Sequence, residues 1–223
     1  TDGTPLWVTG SGTSKTVLTR YATVLNRVLP VPTQVASGQC VEVELFARYP
    51  LKKITAEKST TAVKPGVLNG RYRVTFANGN HITFVSHGET TLLTEKGKLK
   101  LQSHLDREEY VARVLDREAK STPPEAAKAM TVAIRTFLQQ NANREGDCLT
   151  IPDSSAMQRV SASPATTGAR MMTAWTQDLI YAGDPVHYHG SRATEGTLSW
   201  RQATVQAGQG ERYDQILAFA YPD

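Results

Sequence analysis

The chain has 223 residues, 39% of them hydrophobic and 21% charged. This composition suits one large or two small folded domains and excludes a disordered polyelectrolyte. The formal net charge of +4 permits an anionic polymer as partner without requiring one. No apolar run approaches the roughly 20 residues of a membrane helix, and no basic segment interleaved with aromatic residues indicates a nucleic-acid-binding face.

The chain contains two cysteines, Cys40 and Cys148. A structural zinc site usually takes four Cys or His ligands, so thiolates alone cannot form one here. Outside the cytoplasm the two residues could form one disulfide, whereas in a reducing compartment they would be buried free thiols. The residues by themselves leave both alternatives open.

Residues 1–39 are rich in Thr, Gly, Ser and Pro, and only Thr16–Leu29 has helical spacing. The chain starts at Thr1 without Met or signal peptide, as a trimmed or mature secreted protein would. The run Gly10–Thr16 lacks the spacing of a phosphate-binding loop, which favours a flexible linker. We therefore expect a loosely attached segment over residues 1–39 and a folded domain over residues 40–223.

The first part of that domain has strand patterns. Cys40–Tyr49 alternates apolar and polar residues, as a half-buried strand does. Residues 71–77 and 81–86 flank an Asn-Gly-Asn turn, and residues 90–94 and 98–102 flank Glu-Lys-Gly. The sequence therefore predicts a β-rich N-terminal half.

Helical spacing begins at Asp106, which stands three residues before Glu109 as in a capping box and predicts a helix to about Ala119. A second helix is predicted from the N-cap candidate Thr122, with Pro and Glu in its first turn. Its small-residue stripe would let another backbone approach closely, and Asn141 ends it.

The remainder has mixed patterns. Ala165–Trp175 predicts a third helix weakened by Gly168, and residues 201–207 and 213–219 predict helical turns. Residues 179–181 and 186–189 resemble short strands around a turn. With no repeat and no sharp change in composition, we predict a single α+β domain with small-residue helices packed beside a cleft.

Two sets of side chains could carry chemistry. Glu118 ends the first predicted helix, where partial burial would raise its pKa and suit it to general acid work, although a solvated helix-end Glu is the commoner case. His187 and His189 share a strand face and could meet one ligand. A metal would need a third ligand, with candidates among Cys148, Asp153 and His104, and such a His pair is more often structural.

Three ordered motifs resemble the SpoIID/LytB-type domain. Residues 108–118 (EEYVARVLDRE) resemble its EEYV-x-GV-x-x-E signature, and residues 125–137 (EAAKAMTVAIRTF) resemble its EALKAQAVAARTY helix. Residues 208–222 (GQGERYDQILAFAYP) resemble its GxSYxEILxxYYP ending. The resemblance covers residues 99–222 and extends more loosely back to Cys40.

SpoIID is a lytic transglycosylase of peptidoglycan glycan strands, so the resemblance implies that Glu118 is the essential acid. A single carboxyl can serve both chemical steps, unlike the paired carboxylates of glycoside hydrolases. The motif positions imply Arg135, Gln158, Tyr188 and His189 as substrate-binding residues. The resemblance implies no cofactor.

The chain also departs from the family pattern. Residues 153–160 (DSSAMQRV) stand where the family often has DTTHCQVY. Ala156 and Met157 thus replace a His/Cys pair that some members use for zinc, and we predict no bound metal. The Gly-rich segment after the family's Tyr is also altered, which indicates a kept fold with a rebuilt cleft rim.

A closer resemblance is to secreted proteins of Gram-negative bacteria that are encoded beside bacterial alpha-2-macroglobulin-like proteins. It implies a periplasmic location and a Cys40–Cys148 disulfide.

Two functions remain open. The retained Glu118, Lys128 and Arg135 favour a lytic transglycosylase. The altered rim favours a module that binds peptidoglycan or a protein partner such as the macroglobulin-like protein, and we favour this binding role because a fold does not carry function once its site has changed.

Overall fold

The computed structural model describes residues 39–181, 186–189 and 196–221. The predicted helix Thr16–Leu29 and nearly all of the predicted N-terminal segment lie outside these residues. Among the described helices, none is both long enough and apolar enough to cross a membrane.

A mixed sheet holds the β-rich part of the chain together. Its seven strands are β1 (Cys40–Leu45), β2 (Leu51–Ala56), β3 (Gly66–Phe76), β4 (His81–Glu95), β5 (Lys98–Asp106), β6 (Asn143–Glu145) and β7 (Cys148–Pro152). They are arranged in the order β2-β3-β4-β5-β1-β7-β6. Only the β1–β7 pair is parallel among these strands.

The strand predicted over residues 40–49 is shorter than expected. Its alternation buries Val41, Val43 and Leu45, each no more than 1% exposed, and the strand ends there. Phe46 has a φ of 59°, and its backbone N–H donates to the Asp153 carboxylate at 2.9 Å. This backbone turn stops the ladder before Tyr49.

Both predicted hairpins form, and Gly97 has the positive φ (76°) that its turn requires. Residues 81–86 and 90–94, however, belong to the single strand β4 rather than to two strands. No pattern in the sequence predicts β2, because only Ile54 and Thr55 of this strand are buried.

Five described helices cover the sheet and one another: α1 (Arg107–Glu118), α2 (Pro124–Asn141), α3 (Thr167–Trp175), α4 (Trp200–Gly208) and α5 (Tyr213–Ala220). The predicted third helix and the two C-terminal helical turns are thereby confirmed. Every residue of α2 from Ala126 to Leu138 is buried, with the other four helices packed around it. Its small side chains allow this close packing.

The two predicted helix starts differ from the structure. Asp106 caps α1, but its carboxylate accepts from Glu108 N–H, while Glu109 pairs with Arg113 instead of closing a capping box. The predicted cap Thr122 is wrong, because α2 begins at Pro124 after an N-cap Pro123 that offers no side-chain bond.

Two further features of this part of the chain depend on packing between distant residues. Gly168 in α3 packs closely on Ser121, because a Cβ there would lie 2.6 Å from the Ser121 hydroxyl oxygen and would force that side chain to move. Residues 179–181 are not a strand. Instead β8 (His187–His189) pairs in parallel with β9 (Thr197–Ser199), a long-range partner that local pattern could not supply.

The Cys40–Cys148 disulfide is present and joins β1 to β7. The two residues are register partners across the parallel pair. The α+β fold class is also confirmed, with strands in the first half and the buried helix α2 behind the sheet.

Candidate functional site

Glu118 is the last residue of α1 and is half-buried at an open groove of about 390 Å³. We call this the Glu118 groove. It is lined by Arg117, Glu118, Phe137, Ser155, Ala156, Met157, Arg159, His187, Tyr188 and His189. The groove lies where the end of α1 meets α2, β8 and the loop after β7.

The loop after β7 forms the wall beside Glu118. Asp153 N–H bonds to the Glu44 carbonyl at 3.0 Å, which prolongs the sheet, and Ser154 N–H bonds back to the Gln158 carbonyl at 3.1 Å. The loop is therefore folded onto itself. Its return points the Arg159 N–H at Glu118, whose Oε1 accepts it at 2.7 Å.

A buried hydrogen-bond chain supports the groove floor. The Gln158 side chain accepts from the Tyr110 hydroxyl at 2.9 Å and donates to the Ile134 carbonyl at 3.0 Å and to the Tyr188 oxygen at 2.8 Å. Because the Tyr188 oxygen accepts from Gln158, its own proton is directed to the Glu118 carboxylate.

Burial raises the pKa of Glu118 above its usual range. The hydrogen bonds from Arg159 N–H and Tyr188, and the Arg159 charge, oppose this rise, while nearby Asp153 adds to it. The largest opposing contribution comes from Arg159, which stands 41 positions further along the chain and not next to Glu118. A carboxyl with a raised pKa keeps its proton to higher pH than an exposed one, which suits general acid work.

Two other titratable groups lie beside Glu118: Tyr188 donates a hydrogen bond to it, and Asp153 positions the loop after β7. Burial and the neighbouring Glu118 raise the pKa of Tyr188 well above its usual value, so its hydroxyl stays protonated. Burial also raises the pKa of Asp153. Both Asp153 oxygens accept backbone N–H groups, from Phe46 at 2.9 Å and Val160 at 3.0 Å, so this carboxyl positions the loop.

The structure brings only some of the expected substrate-binding residues to the groove. Tyr188 and His189 line it, whereas Gln158 is fully buried beneath it. Arg135 is fully buried away from it, donating to both Glu108 oxygens at 2.9 and 2.6 Å and to the Leu179 carbonyl.

Lys128, which also carried the family resemblance, is buried away from the groove as well. Its ammonium pairs with Glu125 and lies 3.8 Å from the Trp175 ring centroid. Both basic residues of α2 therefore stabilise packing between elements.

The proposed third metal ligands do not join His187 and His189. Cys148 is in the disulfide, and Asp153 bonds to backbone. Within the described ranges, the one grouping of three ligand-bearing side chains is Cys40, His104 and Cys148, whose two sulfurs are bonded to each other. Ala156 and Met157 line the groove rim, where they offer no metal-binding nitrogen or thiolate.

Sequence reasoning missed Tyr110 and the backbone of Arg159. Tyr110 stands inside the EEYV motif, so the motif itself offered a signal for it. The Arg159 N–H offered none, because backbone direction depends on how the loop folds.

Comparisons with known proteins agree with this architecture. Residues 95–207 match the family described as Stage II sporulation protein (SpoIID), and residues 196–223 match one described as predicted secreted protein (DUF2300). The chain is 97% identical over all 223 residues to YfaQ of Escherichia coli (strain K12), of which it spans 41%. No solved structure matches it. Since the first match covers half of the chain, with Glu118, α2 and the loop after β7 inside it, the chain belongs to the SpoIID family.

Proposed function

We propose that this domain binds peptidoglycan glycan strands in the Glu118 groove and cleaves them as a lytic transglycosylase. The observation that carries this proposal is the half-buried Glu118 carboxyl, whose pKa is raised by burial at an open groove. An extended polymer needs such an open groove in order to pass the acid. The geometry thus favours catalysis over the binding role that the sequence favoured.

In the proposed reaction, protonated Glu118 donates its proton to the glycosidic oxygen as that bond breaks. The resulting carboxylate then takes a proton from the sugar 6-hydroxyl while that oxygen closes onto the anomeric carbon. Arg159 N–H and the Tyr188 hydroxyl would stabilise the carboxylate between the two steps. One carboxyl is sufficient, which agrees with an Asp153 occupied by backbone groups.

We further propose that the domain works in the periplasm. The match to a family of predicted secreted proteins supports a secreted location. The Cys40–Cys148 disulfide supports it too, because such bonds persist in oxidising compartments.

A second candidate function is a module that binds without cleaving. Ala156 and Met157 favour it, because they place two apolar side chains in the groove lining where the family often has a His/Cys pair. Its ligand would be a glycan strand or a protein partner such as a bacterial alpha-2-macroglobulin-like protein.

Incubation of purified peptidoglycan sacculi with the protein separates the two functions. We expect the wild type to sediment with sacculi and to release soluble fragments, and Glu118→Gln to sediment equally while release falls by about 100-fold or more. Glu145→Gln, at an exposed carboxyl of β6, is the matched control and should release normally. Sedimentation without release by the wild type would favour the binding module, and neither effect would refute both glycan roles.

A further inference from the structure

A second groove of about 270 Å³ lies beside the Glu118 groove. The two share a ridge formed by Arg117, Ser155 and Arg159. Beyond the ridge, the second groove is lined by the β4 segment at Thr83 and by aromatic side chains that include Tyr49. We call it the Thr83 groove. A glycan strand that fills the Glu118 groove could therefore extend a substituent directly into the Thr83 groove.

The floor of the Thr83 groove includes an open strand edge. Val85 N–H donates to the Ser163 hydroxyl at 3.1 Å, so the backbone of Val85 faces away from β3. Residues two apart on a strand direct their backbone groups to the same side, and Thr83 therefore also faces this edge. β5 pairs with β4 only from Thr90 onward, so among the described strands none pairs with β4 on this edge at Thr83.

The ridge carries positive charge. Arg117 and Arg159 are both exposed, and within the described part of the chain neither forms a direct ion pair with a carboxylate. Their charges act on Asp153, and that of Arg159 also acts on Glu118, without a contact that would occupy the guanidinium groups. Arg48 lies behind them and donates to the Ser155 hydroxyl at 3.0 Å. Asp153, the acidic residue in this groove, directs both oxygens at backbone N–H groups. A guanidinium pair on a ridge is suited to bind carboxylates.

Phe46, one of the aromatic residues that line the Thr83 groove, has an unfavourable backbone conformation. Phe46 has a φ of 59°, a value that a bulky residue rarely adopts, and Asp153 holds it there. Its ring packs edge-on against Phe76 at 5.3 Å, while Tyr49 beside it remains 57% exposed. Strained backbone tends to persist at binding sites.

We propose that the Thr83 groove binds the acidic peptide carried by peptidoglycan strands. The peptide would lie as an added strand against the Thr83 backbone, with carboxylates toward Arg117 and Arg159 and an apolar side chain against Tyr49. The groove volume fits a few residues. This inference rests on the proposed function, since the glycan in the Glu118 groove would deliver the peptide.

The test compares two soluble probes on the Glu118→Gln protein, which prevents cleavage during the measurement. One probe is fluorescently labelled glycan fragments that retain their peptides. The other is the same fragments after an amidase has removed them. We expect the peptide-bearing fragments to bind about tenfold more tightly.

Replacing Arg117 and Arg159 with Gln should remove this preference. Because both residues also line the Glu118 groove, the readout is the ratio of the two affinities, which should fall to about one. Arg73→Gln with Arg201→Gln, two exposed arginines outside both grooves, makes the same change in net charge and should keep the preference. Tyr49→Ala, at an exposed ring, should weaken only the peptide-bearing probe.

Equal binding of both probes, or a preference that survives the Arg117/Arg159 change, overturns the peptide site while the glycan groove stands. Tighter binding of the stripped fragments does the same. Binding of neither probe overturns the glycan groove and the peptide site together.

Discussion

At the scale of single residues, the protonation of Glu118 depends on Tyr188. The Tyr188 hydroxyl donates to the Glu118 carboxylate and so favours its ionised form against burial. Tyr188→Phe should therefore raise the pKa of Glu118 further, and carbon-13 NMR titration of the carboxyl would measure the shift. Tyr110→Phe, two hydrogen bonds further away through Gln158, should move it less. An unchanged or lowered pKa in Tyr188→Phe would refute the role given to this hydroxyl.

The raised pKa of Glu118 also has a consequence for stability. The folded protein holds this proton to higher pH than the unfolded chain, so the free energy of unfolding falls as pH rises through the interval between the two pKa values. Glu118→Gln removes that loss. Its Tm should exceed that of the wild type at neutral pH and converge with it in acid, as calorimetry at the two pH values would measure. A lower Tm at neutral pH would contradict the burial argument.

Whether the role of a site residue could be predicted from the sequence differs from one residue to another. Glu118 could be placed because its motif and its position at a helix end both point to it. Arg135 could not, because a family motif gives residue identity without showing whether the side chain faces a cleft or an ion pair inside the fold. Its pairing with Glu108 across two helices is a long-range contact.

At the scale of elements, Glu109 joins α1 to α3. Its carboxylate accepts from Arg113 within α1, from Arg170 on α3 and from Ala165 N–H before α3. Burial alone would raise the pKa of Glu109, but these partners outweigh it and lower the pKa to about 2. The junction should therefore be strongest when this carboxyl is ionised.

The stabilisation by Glu109 should be complete above its unfolded pKa near 4.5 and should be lost as pH falls toward about 2. Glu109→Gln should cost about 2–3 kcal/mol at neutral pH and should reduce the loss of stability across this acid interval. Urea unfolding at both ends of the interval would measure it. The same acid dependence in variant and wild type would rule out Glu109 as its source.

The helix ends show why element boundaries were only partly predictable. Asp106 caps α1 as its residue type predicts, because that hydrogen bond is local. Glu109 and Glu125 have the spacing of capping-box residues, yet they bind Arg170 on α3 and the Tyr213 N–H on α5. Tertiary partners that the local sequence does not contain determined the outcome.

At the scale of the whole molecule, the disulfide joins β1 to β7 across 108 residues. Constraining a loop of this length in the unfolded chain should stabilise the fold by about 2–5 kcal/mol. Changing both Cys40 and Cys148 to Ser should lower the stability by this amount in chemical denaturation under oxidising conditions. Unchanged stability would show that the sheet already fixes these two strands without the bond.

The fold class could be predicted from the sequence, but the pairing of strands that are distant in the chain could not. Alternation and turn residues gave the hairpins, and helical spacing gave α1, α2 and α3. The parallel pairs β1–β7 and β8–β9 join segments that no local pattern relates. The groove depends on both pairs, because β7 leads into the Asp153 loop and β8 carries Tyr188, so its shape needed the structure.

The central claim is that one carboxyl, Glu118, both donates and recovers a proton during cleavage of a glycan strand. The most direct test is mass spectrometry of the ends formed when the wild type and Glu118→Gln act on purified peptidoglycan. The account predicts 1,6-anhydro ends from the wild type and none above background from Glu118→Gln. New reducing ends in place of anhydro ends, or anhydro ends formed equally by both proteins, would contradict it.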